Sequence, residues 1–390
     1  MPPSSSRRPN HFVGEWFGQR IFPGVQLGDA SLDAMKTQLC PFLTAAVGEA
    51  QECIKATPSQ GVCTITSRDA TRYGVDEGSI DWLVCPYRTL DHGLLNEVAH
   101  HLFDIAVDAD ALIVAAVTLD EPTTQSRIRA ALAAGTPAFV YFRARLGGEI
   151  SLRPTDRSPE FSFDITMVQL LPGSGDPEIG RYAIVEVQTM EFHGSYGEAT
   201  SALRSALDLH EASFADQIGE NPEWAGRAIQ GPSIADTFKR TFYQMIFKFQ
   251  LGLHTSCAGT VLALPRAVWN SWQPHLGRPE LQADPGNPTL RSLPRPEGVG
   301  LTEEAPAWIL VFDTDQTVGV SPNPLLIDMV IETDTPTLLH YAFDAAPEAA
   351  LGGGATERLY ADICSKMLNR WPELQRDSAA DDRAPAQDDP

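Results

Sequence analysis

The segment Tyr182-Ala183-Ile184-Val185-Glu186-Val187-Gln188 sets a carboxylate inside a run that otherwise reads as a buried β-strand, and few folds tolerate that. Successive side chains of a strand point to opposite faces, so Val185 and Val187 share one face while Glu186 and Gln188 share the other. A carboxylate taken out of water without a partner is costly. The strand therefore calls for a cation beside Glu186, either an arginine or a metal ion. Asp164 can add a second oxygen donor. It precedes Glu186 by 22 residues on the strand Phe161 to Leu171, and the turn Pro172-Gly173-Ser174-Gly175-Asp176-Pro177 returns the chain as a hairpin, with Arg181 to Met190 as its second arm.

Two carboxylates so placed form the pattern of a D…E-x-K nuclease, in which Asp and Glu hold Mg²⁺ against the scissile phosphate. Gln188 stands where the lysine of that pattern would be. An amide orients water or phosphate but takes no proton at neutral pH. Proton removal then falls to a metal-activated water or to another carboxylate, Glu149 in Gly147-Gly148-Glu149 or Glu160. The spacing alone also fits a chance D…E-x-Q in a pair of strands.

The surrounding chain alternates strand-like and helix-like segments and shows no internal repeat, which reads as mixed α/β. Val62 to Thr66, Ile80 to Val84, Ala138 to Phe142, Ala258 to Leu264 and Trp308 to Phe312 have strand character. Leu90 to Ile105, Gln125 to Ala134, Glu198 to Leu209 and Ser233 to Leu253 have helical spacing, the last with Phe238, Phe242, Met245, Ile246 and Phe249 as its apolar stripe. With 390 residues, 43% of them hydrophobic, the chain can bury a large core. The longest apolar run, Ala111 to Leu119, is far short of the roughly 20 residues of a membrane helix. The first residues lack the continuous apolar stretch of an export signal, so a cytoplasmic protein with no membrane association is expected. Three regions follow: residues 1–90, where cysteines crowd; residues 91–372, with a Pro-rich surface connection at 274–306; and residues 373–390, an acidic tail expected to be disordered.

Acidity opposes binding to a polyanion, because the formal net charge is −22. The tail from Asp377, with five Asp and one Arg, supplies only −4 of it. Charge is also distributed: Arg143, Arg145, Arg153 and Arg157 lie near the carboxylates in sequence, and Lys239, Arg240 and Lys248 lie along one helix. A basic cleft on an acidic body is compatible with that, as is a solvated helix face. His193 and Ser195, just past the Glu186 strand, and Lys239 and Arg240 are the candidate DNA contacts. Other chemistries fit less well. His100-His101 with Asp104 lacks further ligands, Gly352-Gly353-Gly354 lacks the Lys-Ser/Thr of a phosphate loop, and no G-x-S-x-G elbow occurs.

Cys40, Cys53, Cys63 and Cys85 are spaced by 13, 10 and 22 residues, and Cys40 and Cys85 each precede a proline. Four thiolates can enclose zinc or iron, yet paired C-x-x-C knuckles are missing, and free cysteine is itself among the most buried residue types. Spacing leaves both readings open. Cys257 and Cys364 are assigned to packing.

Nine segments carry a resemblance: Cys40-Pro-Phe-Leu-Thr-Ala-Ala, Gly61-Val-Cys63, Asp81-Trp-Leu-Val-Cys85-Pro, Leu146-Gly-Gly-Glu149, Ser158-Pro-Glu-Phe-Ser-Phe-Asp164, Glu186-Val-Gln-Thr-Met, Phe192-His-Gly-Ser-Tyr196, Phe238-Lys-Arg-Thr-Phe-Tyr-Gln-Met245 and Cys257-Ala-Gly-Thr. In this order, from about Phe12 to Trp371, they closely resemble the NotI family of type II restriction endonucleases. The resemblance implies a restriction-endonuclease-like α/β nuclease core, a mixed central sheet flanked by helices, preceded by an N-terminal metal-binding unit. It implies a homodimer that cuts both strands of the palindrome 5′-GCGGCCGC-3′ with Mg²⁺ and leaves 5′-phosphates, in a system with a cognate DNA methyltransferase that it need not touch. Asp164, Glu186 and Gln188 match the family's catalytic core, Asp164 and Glu186 as Mg²⁺ ligands, and Glu149 matches an accessory acid. Cys40, Cys53, Cys63 and Cys85 match a four-thiolate site that holds iron in that family, with zinc as the alternative. The target length, eight base pairs or an inner CGGCCG, stays open. So do two other readings: a non-cleaving DNA-binding protein on the same fold, and a nuclease without sequence specificity.

Overall fold

The computed structural model describes residues 9–28, 31–73, 78–106, 108–156, 160–297 and 307–372. An antiparallel sheet opens the chain, with β1 (His11–Trp16), β2 (Gln19–Arg20), β3 (Val62–Ser67) and β4 (Ile80–Leu83) in the order β2-β1-β3-β4. Two short helices, α1 (Ser31–Lys36) and α2 (Pro41–Val47), lie between β2 and β3. Helix α3 (His92–Phe103) follows; the Asp91 side chain caps it by accepting the Leu94 N–H at 3.2 Å, and Asp104, in the left-handed region, ends it.

The centre of the molecule is, among the described residues, a nine-stranded mixed sheet. Its strands are β5 (Leu112–Ala115), β6 (Ala138–Phe142), β9 (Ile165–Leu171), β10 (Glu178–Val187), β11 (Cys257–Pro265), β12 (Gln282–Ala283), β13 (Leu290–Ser292), β14 (Ala307–Thr314) and β15 (Leu325–Thr333). Their order is β12-β13-β15-β14-β11-β10-β9-β6-β5. A separate two-stranded ribbon pairs β7 (Ser151–Leu152) with β8 (Phe161–Ser162). The hairpin expected at Pro172 to Pro177 joins β9 to β10, with Ile165 opposite Val185. Gly173 is needed in its turn, since a Cβ there would lie 2.1 Å from the Asp176 carbonyl oxygen. The single strand expected over Phe161 to Leu171 is broken between β8 and β9, and Asp164 occupies the break.

Helices cover both faces. They are α4 (Pro122–Ala133), α5 (Gly197–Leu209), α6 (Phe214–Glu220), α7 (Ile234–Leu251), α8 (Arg266–Trp272), α9 (Thr335–His340), α10 (Ala346–Gly352) and α11 (Ala355–Arg370). Alternation along the strands divides the core. Leu262, Leu264, Ile309, Val311 and Ile331 pack with α7, α8 and the Phe12, Trp16 and Trp82 side of the first sheet. Val185, Val187, Val261, Ala263, Leu310 and Phe312 pack with α3 and with Cys40, Cys63 and Cys85. The first sheet thus shares both cores, and the expected boundary near residue 90 separates topology but not packing.

The Pro-rich stretch needs correction. Residues 274–297 carry β12 and β13, which extend the central sheet beyond β15, because their prolines fall between the strands and leave the pairing N–H groups in place. Residues 298–306, like the acidic tail at 373–390, lie outside the described residues.

Buried charges fasten the first sheet to the rest. Arg88 grips Glu15 through two hydrogen bonds, Nε to Oε2 at 3.0 Å and Nη2 to Oε1 at 3.2 Å, and Thr64 donates to the same carboxylate. Arg20 makes an ionic contact with Asp81 at 2.8 Å and donates to Asn323 Oδ1 at 2.7 Å; Asp81 also accepts the hydroxyls of Thr66, on β3, and Thr314, on β14. All four ionised residues are essentially buried. Removing one member strands its partner without water. Glu15→Ala is expected to cost about 3–5 kcal/mol of unfolding free energy, measured by urea denaturation. A loss under about 1 kcal/mol would mean that Arg88 finds equivalent partners.

Candidate active site and cysteine cluster

The β9–β10 register sets Asp164 beside Glu186. The Asp164 N–H donates to Glu186 Oε1 at 3.4 Å, and Asp164 Oδ2 accepts the Val187 N–H at 3.0 Å, so each carboxylate is oriented by the other strand. Glu186 projects on the face covered by α7. That helix buries Phe238, Thr241, Phe242, Met245 and Phe249, and Lys248 falls on the same stripe, three residues after Met245. Lys248 is only 3% exposed, and its Nζ lies 2.5 Å from Glu186 Oε2. The sequence alone allowed a solvated face for this residue, and the structure puts it under the helix. The signal was present in its place on the apolar stripe, where a cation needs a carboxylate partner.

These groups line a cleft of about 560 Å³ that also includes Glu160, Ser162 and Arg240. Burial, and then the neighbouring Asp164 charge, push the Glu186 carboxyl up to about 7, with Lys248 pulling the other way. Glu160, Asp164 and Glu186 against Lys248 and Arg240 leave the cleft short of positive charge. Arg143, buried beneath, donates from Nη1 to the Asp164 carbonyl at 3.4 Å. Gln188 lies at the end of β10, with its N–H on the Ala263 carbonyl at 2.9 Å. Its amide is engaged at both ends: Oε1 accepts the Thr241 hydroxyl of α7, and Nε2 donates to the Thr189 carbonyl.

The remaining candidates are more dispersed. Gly147 has φ +101° and sits where a Cβ would be 2.5 Å from Ala116, so the tight loop requires glycine, but Glu149 beyond it is exposed and does not line the cleft. His193 and Ser195 are exposed beyond β10. The His193 N–H is bonded to Gly231 and the Ser195 hydroxyl to the Gly197 N–H. Arg240 is at the cleft, paired with Glu191 at 2.9 Å; Lys239, on the exposed side of α7, lies near His275. Arg157 lies outside the described residues. His100 and His101 stay within α3 and its surroundings, bonded to Asn96, the Ile105 carbonyl and Glu97.

The four N-terminal cysteines come from separate elements. Cys40 precedes α2, Cys53 follows it in a loop, Cys63 is in β3, and Cys85 follows β4 at the start of a single 3₁₀ turn. Two bonds between Gln38 to Cys40 and Gln51 to Cys53 hold the first pair of segments together, and Cys85 N–H donates to the Cys63 carbonyl. Hydrogen bonding to the Cys63 thiol brings Cys85 down to about 6, helped by Lys55 and by the N–H groups of Tyr87 and Arg88, while Cys63 retains the proton. Burial pushes Cys40 up to about 11 against the N–H groups of Leu43 and Phe42, with the nearby Cys85 and Cys53 acting in the same direction as burial. The Gly61 N–H points at Cys53 Sγ at 3.4 Å. Backbone donors therefore face three of the sulfurs, as anionic ligands require. Among the described residues, no group of three or more His, Cys, Asp or Glu side chains has the mutual spacing of a ready-made metal site, and this applies to the thiols as well as to Asp164 and Glu186.

No helix among the described residues is long and apolar enough to cross a membrane. No protein-family model matches the chain, and no curated protein is found similar to it.

The position of Glu186 predicts a pH dependence of stability. Folded Glu186 keeps its proton up to about 7, whereas an ordinary carboxyl loses it near 4.5. Between those values the folded state binds more protons, so its contribution to stability is full below the lower one and is lost as pH rises through the upper one. Without divalent cations, the stability of the wild type relative to Glu186→Gln should fall by up to about 3 kcal/mol between pH 4.5 and 8. Urea titrations at several pH values measure it. A pH-independent difference would contradict the burial of this carboxyl.

Proposed function

We propose that this protein is a Mg²⁺-dependent type II restriction endonuclease that acts as a homodimer on double-stranded DNA. The observation that carries the reading is the Asp164–Glu186 pair, held by the register of two adjacent strands in a cleft, with Glu186 raised to about 7 and Lys248 as its cationic partner. The donor set suits a hard divalent cation, which takes carboxylate oxygens and relieves their mutual repulsion. Asp164 and Glu186 would hold it. When bound, such an ion polarises a phosphate and lowers the pKa of an attacking water. Asp164, oriented by the Val187 N–H, and Glu186, oriented by the Asp164 N–H, are held in place at the cleft. Gln188, tied to Thr241, holds the end of β10 against α7.

Arg240, at the mouth of the cleft, and Lys239, on the exposed side of α7, are suited to backbone phosphates, which position DNA without reading sequence. The target proposed is the GC-only palindrome 5′-GCGGCCGC-3′, cut to leave 5′-phosphates. G·C pairs offer N7 and O6 acceptors to Arg or Lys and an N4 donor to Asp or Glu, so an acidic protein can use its carboxylates in recognition. A palindrome is matched by a twofold dimer, each protomer reading one half-site. Helix α11 bears a surface suited to such a partner. Leu359, Ile363 and Met367 are exposed along one side of it. The thiols of Cys40, Cys53, Cys63 and Cys85 would bind iron, or zinc in its place, outside the chemistry, with backbone N–H groups neutralising the thiolates.

Asp164→Ala is expected to lower cleavage of a GCGGCCGC duplex by at least about a thousandfold and to keep specific binding in a gel-shift assay, since base readout is separate from the metal. Cutting at the wild-type rate would remove Asp164 from the site. Binding by the wild type with no cleavage at any Mg²⁺ concentration would favour the non-cleaving DNA-binding reading. Elemental analysis after dialysis against EDTA should find one tightly held iron or zinc per chain in the wild type and none in Cys63→Ser. Metal-free wild type, folded and active, would contradict the four-thiolate site.

A further inference from the structure

Resting on the nuclease reading, we propose that Lys248 is a catalytic residue: its ammonium, delivered from α7, contacts the scissile phosphate and does the work of the lysine absent from position 188. Three observations carry this. The side chain at 188 is an amide that meets Thr241 and the Thr189 carbonyl, so it offers no positive charge, and it is not among the residues that line the cleft. A lysine on the strand at that position would share the face of Glu186, and α7 packs on that face. Lys248, pointing down from the helix, brings its Nζ to 2.5 Å from Glu186 Oε2 and lines the same cleft as Asp164 and Glu186.

Packing fixes that delivery. The Thr260 hydroxyl donates to the Lys248 carbonyl at 3.3 Å, locking this turn of α7 over β11, which itself pairs in parallel with β10. The Phe163 ring lies 5.8 Å from Nζ, and Phe161 stacks on Phe247 at 4.1 Å, so the wall beside the ammonium is aromatic. Pairing with Glu186 accounts for a cation at 248, but not for its placement in the wall of the cleft beside Asp164. An ammonium has three donors, and Glu186 uses one. The others can meet a non-bridging phosphate oxygen, whose negative charge grows as water attacks phosphorus. That attack forms the new P–O bond and breaks the bond to O3′, which leaves with the electron pair and is protonated to the 3′-hydroxyl, while the other end keeps the 5′-phosphate. Lys248 forms no covalent bond and ends the cycle unchanged.

The test compares Lys248→Met, Lys248→Arg and the double variant Lys248→Met with Gln188→Lys in full-length protein. Single-turnover cleavage of a GCGGCCGC duplex is measured with Mg²⁺, binding of the same duplex with Ca²⁺ in place of Mg²⁺, and folding by circular dichroism. Lys248→Met should slow cleavage by about 10²–10³-fold with duplex affinity close to wild type; it leaves Glu186 without its cation, so the melting temperature should fall, while the circular dichroism at the assay temperature should remain that of the folded protein. Lys248→Arg should fall between the two, and Gln188→Lys should restore at least about tenfold of the rate lost by Lys248→Met. Cleavage by Lys248→Met at the wild-type rate would overturn the proposal. So would a loss that follows unfolding or weakened binding and is not recovered by Lys248→Arg or by the relocated lysine, because Lys248 would then be structural. Failure of the nuclease reading is distinguishable: wild type itself would leave the duplex uncut.

Discussion

A carboxylate buried in the sixth strand of a nine-stranded sheet, counted from β12, is the constraint to which the centre of this protein is fitted. Glu186 cannot be left alone there. The hairpin brings Asp164 to its side, the apolar stripe of α7 brings Lys248 above it, and Thr241 of the same helix engages Gln188 one strand position further on. Each of these contacts ties a different element to β10. The same arrangement leaves the cleft short of positive charge, an imbalance that a divalent cation would correct. Structural need and the chemistry proposed for the site therefore have one origin.

The N-terminal segment is bound to that centre by charge as well as by apolar packing. Arg20 and Arg88 reach from the first sheet and its following turn to Asn323, Asp81 of β4 accepts the Thr314 hydroxyl of β14, and the Met190 N–H, just past β10, bonds to the Leu83 carbonyl of β4. Leu83 is two residues from Cys85. A change in the packing of the thiol cluster is thus only a few covalent and hydrogen bonds from the strand that carries Glu186. Through these bonds the structural metal proposed for the thiols would bear on a cleft it does not enter.

Much of the frame was legible in the sequence because it depends on local pattern. The β9–β10 hairpin, α7, the buried β11 and the face shared by Glu186 with Gln188 all follow from strand alternation, helical spacing and a Gly/Pro turn. What was not legible depends on which distant elements pack together. Lys248 could be placed on a helix but not opposite Glu186 without the crossing of α7 over β10. Prolines marked 274–306 as irregular, yet β12 and β13 fit in the gaps between them. Gln188 read as a head group free to orient water, whereas its partners Thr241 and Thr189 commit it. The nine motif segments carried the functional expectation, and physical spacing alone would have left the carboxylate pair and the cysteines ambiguous.

The most direct measurement of the central claim is digestion of a plasmid that contains one GCGGCCGC site and several separate CGGCCG sites, with purified protein and Mg²⁺, followed by sequencing of the ends. The account predicts one linear product with 5′-phosphates at the long site and no reaction when Mg²⁺ is omitted. Intact plasmid at every Mg²⁺ concentration, or a continuous smear without discrete ends, would contradict it.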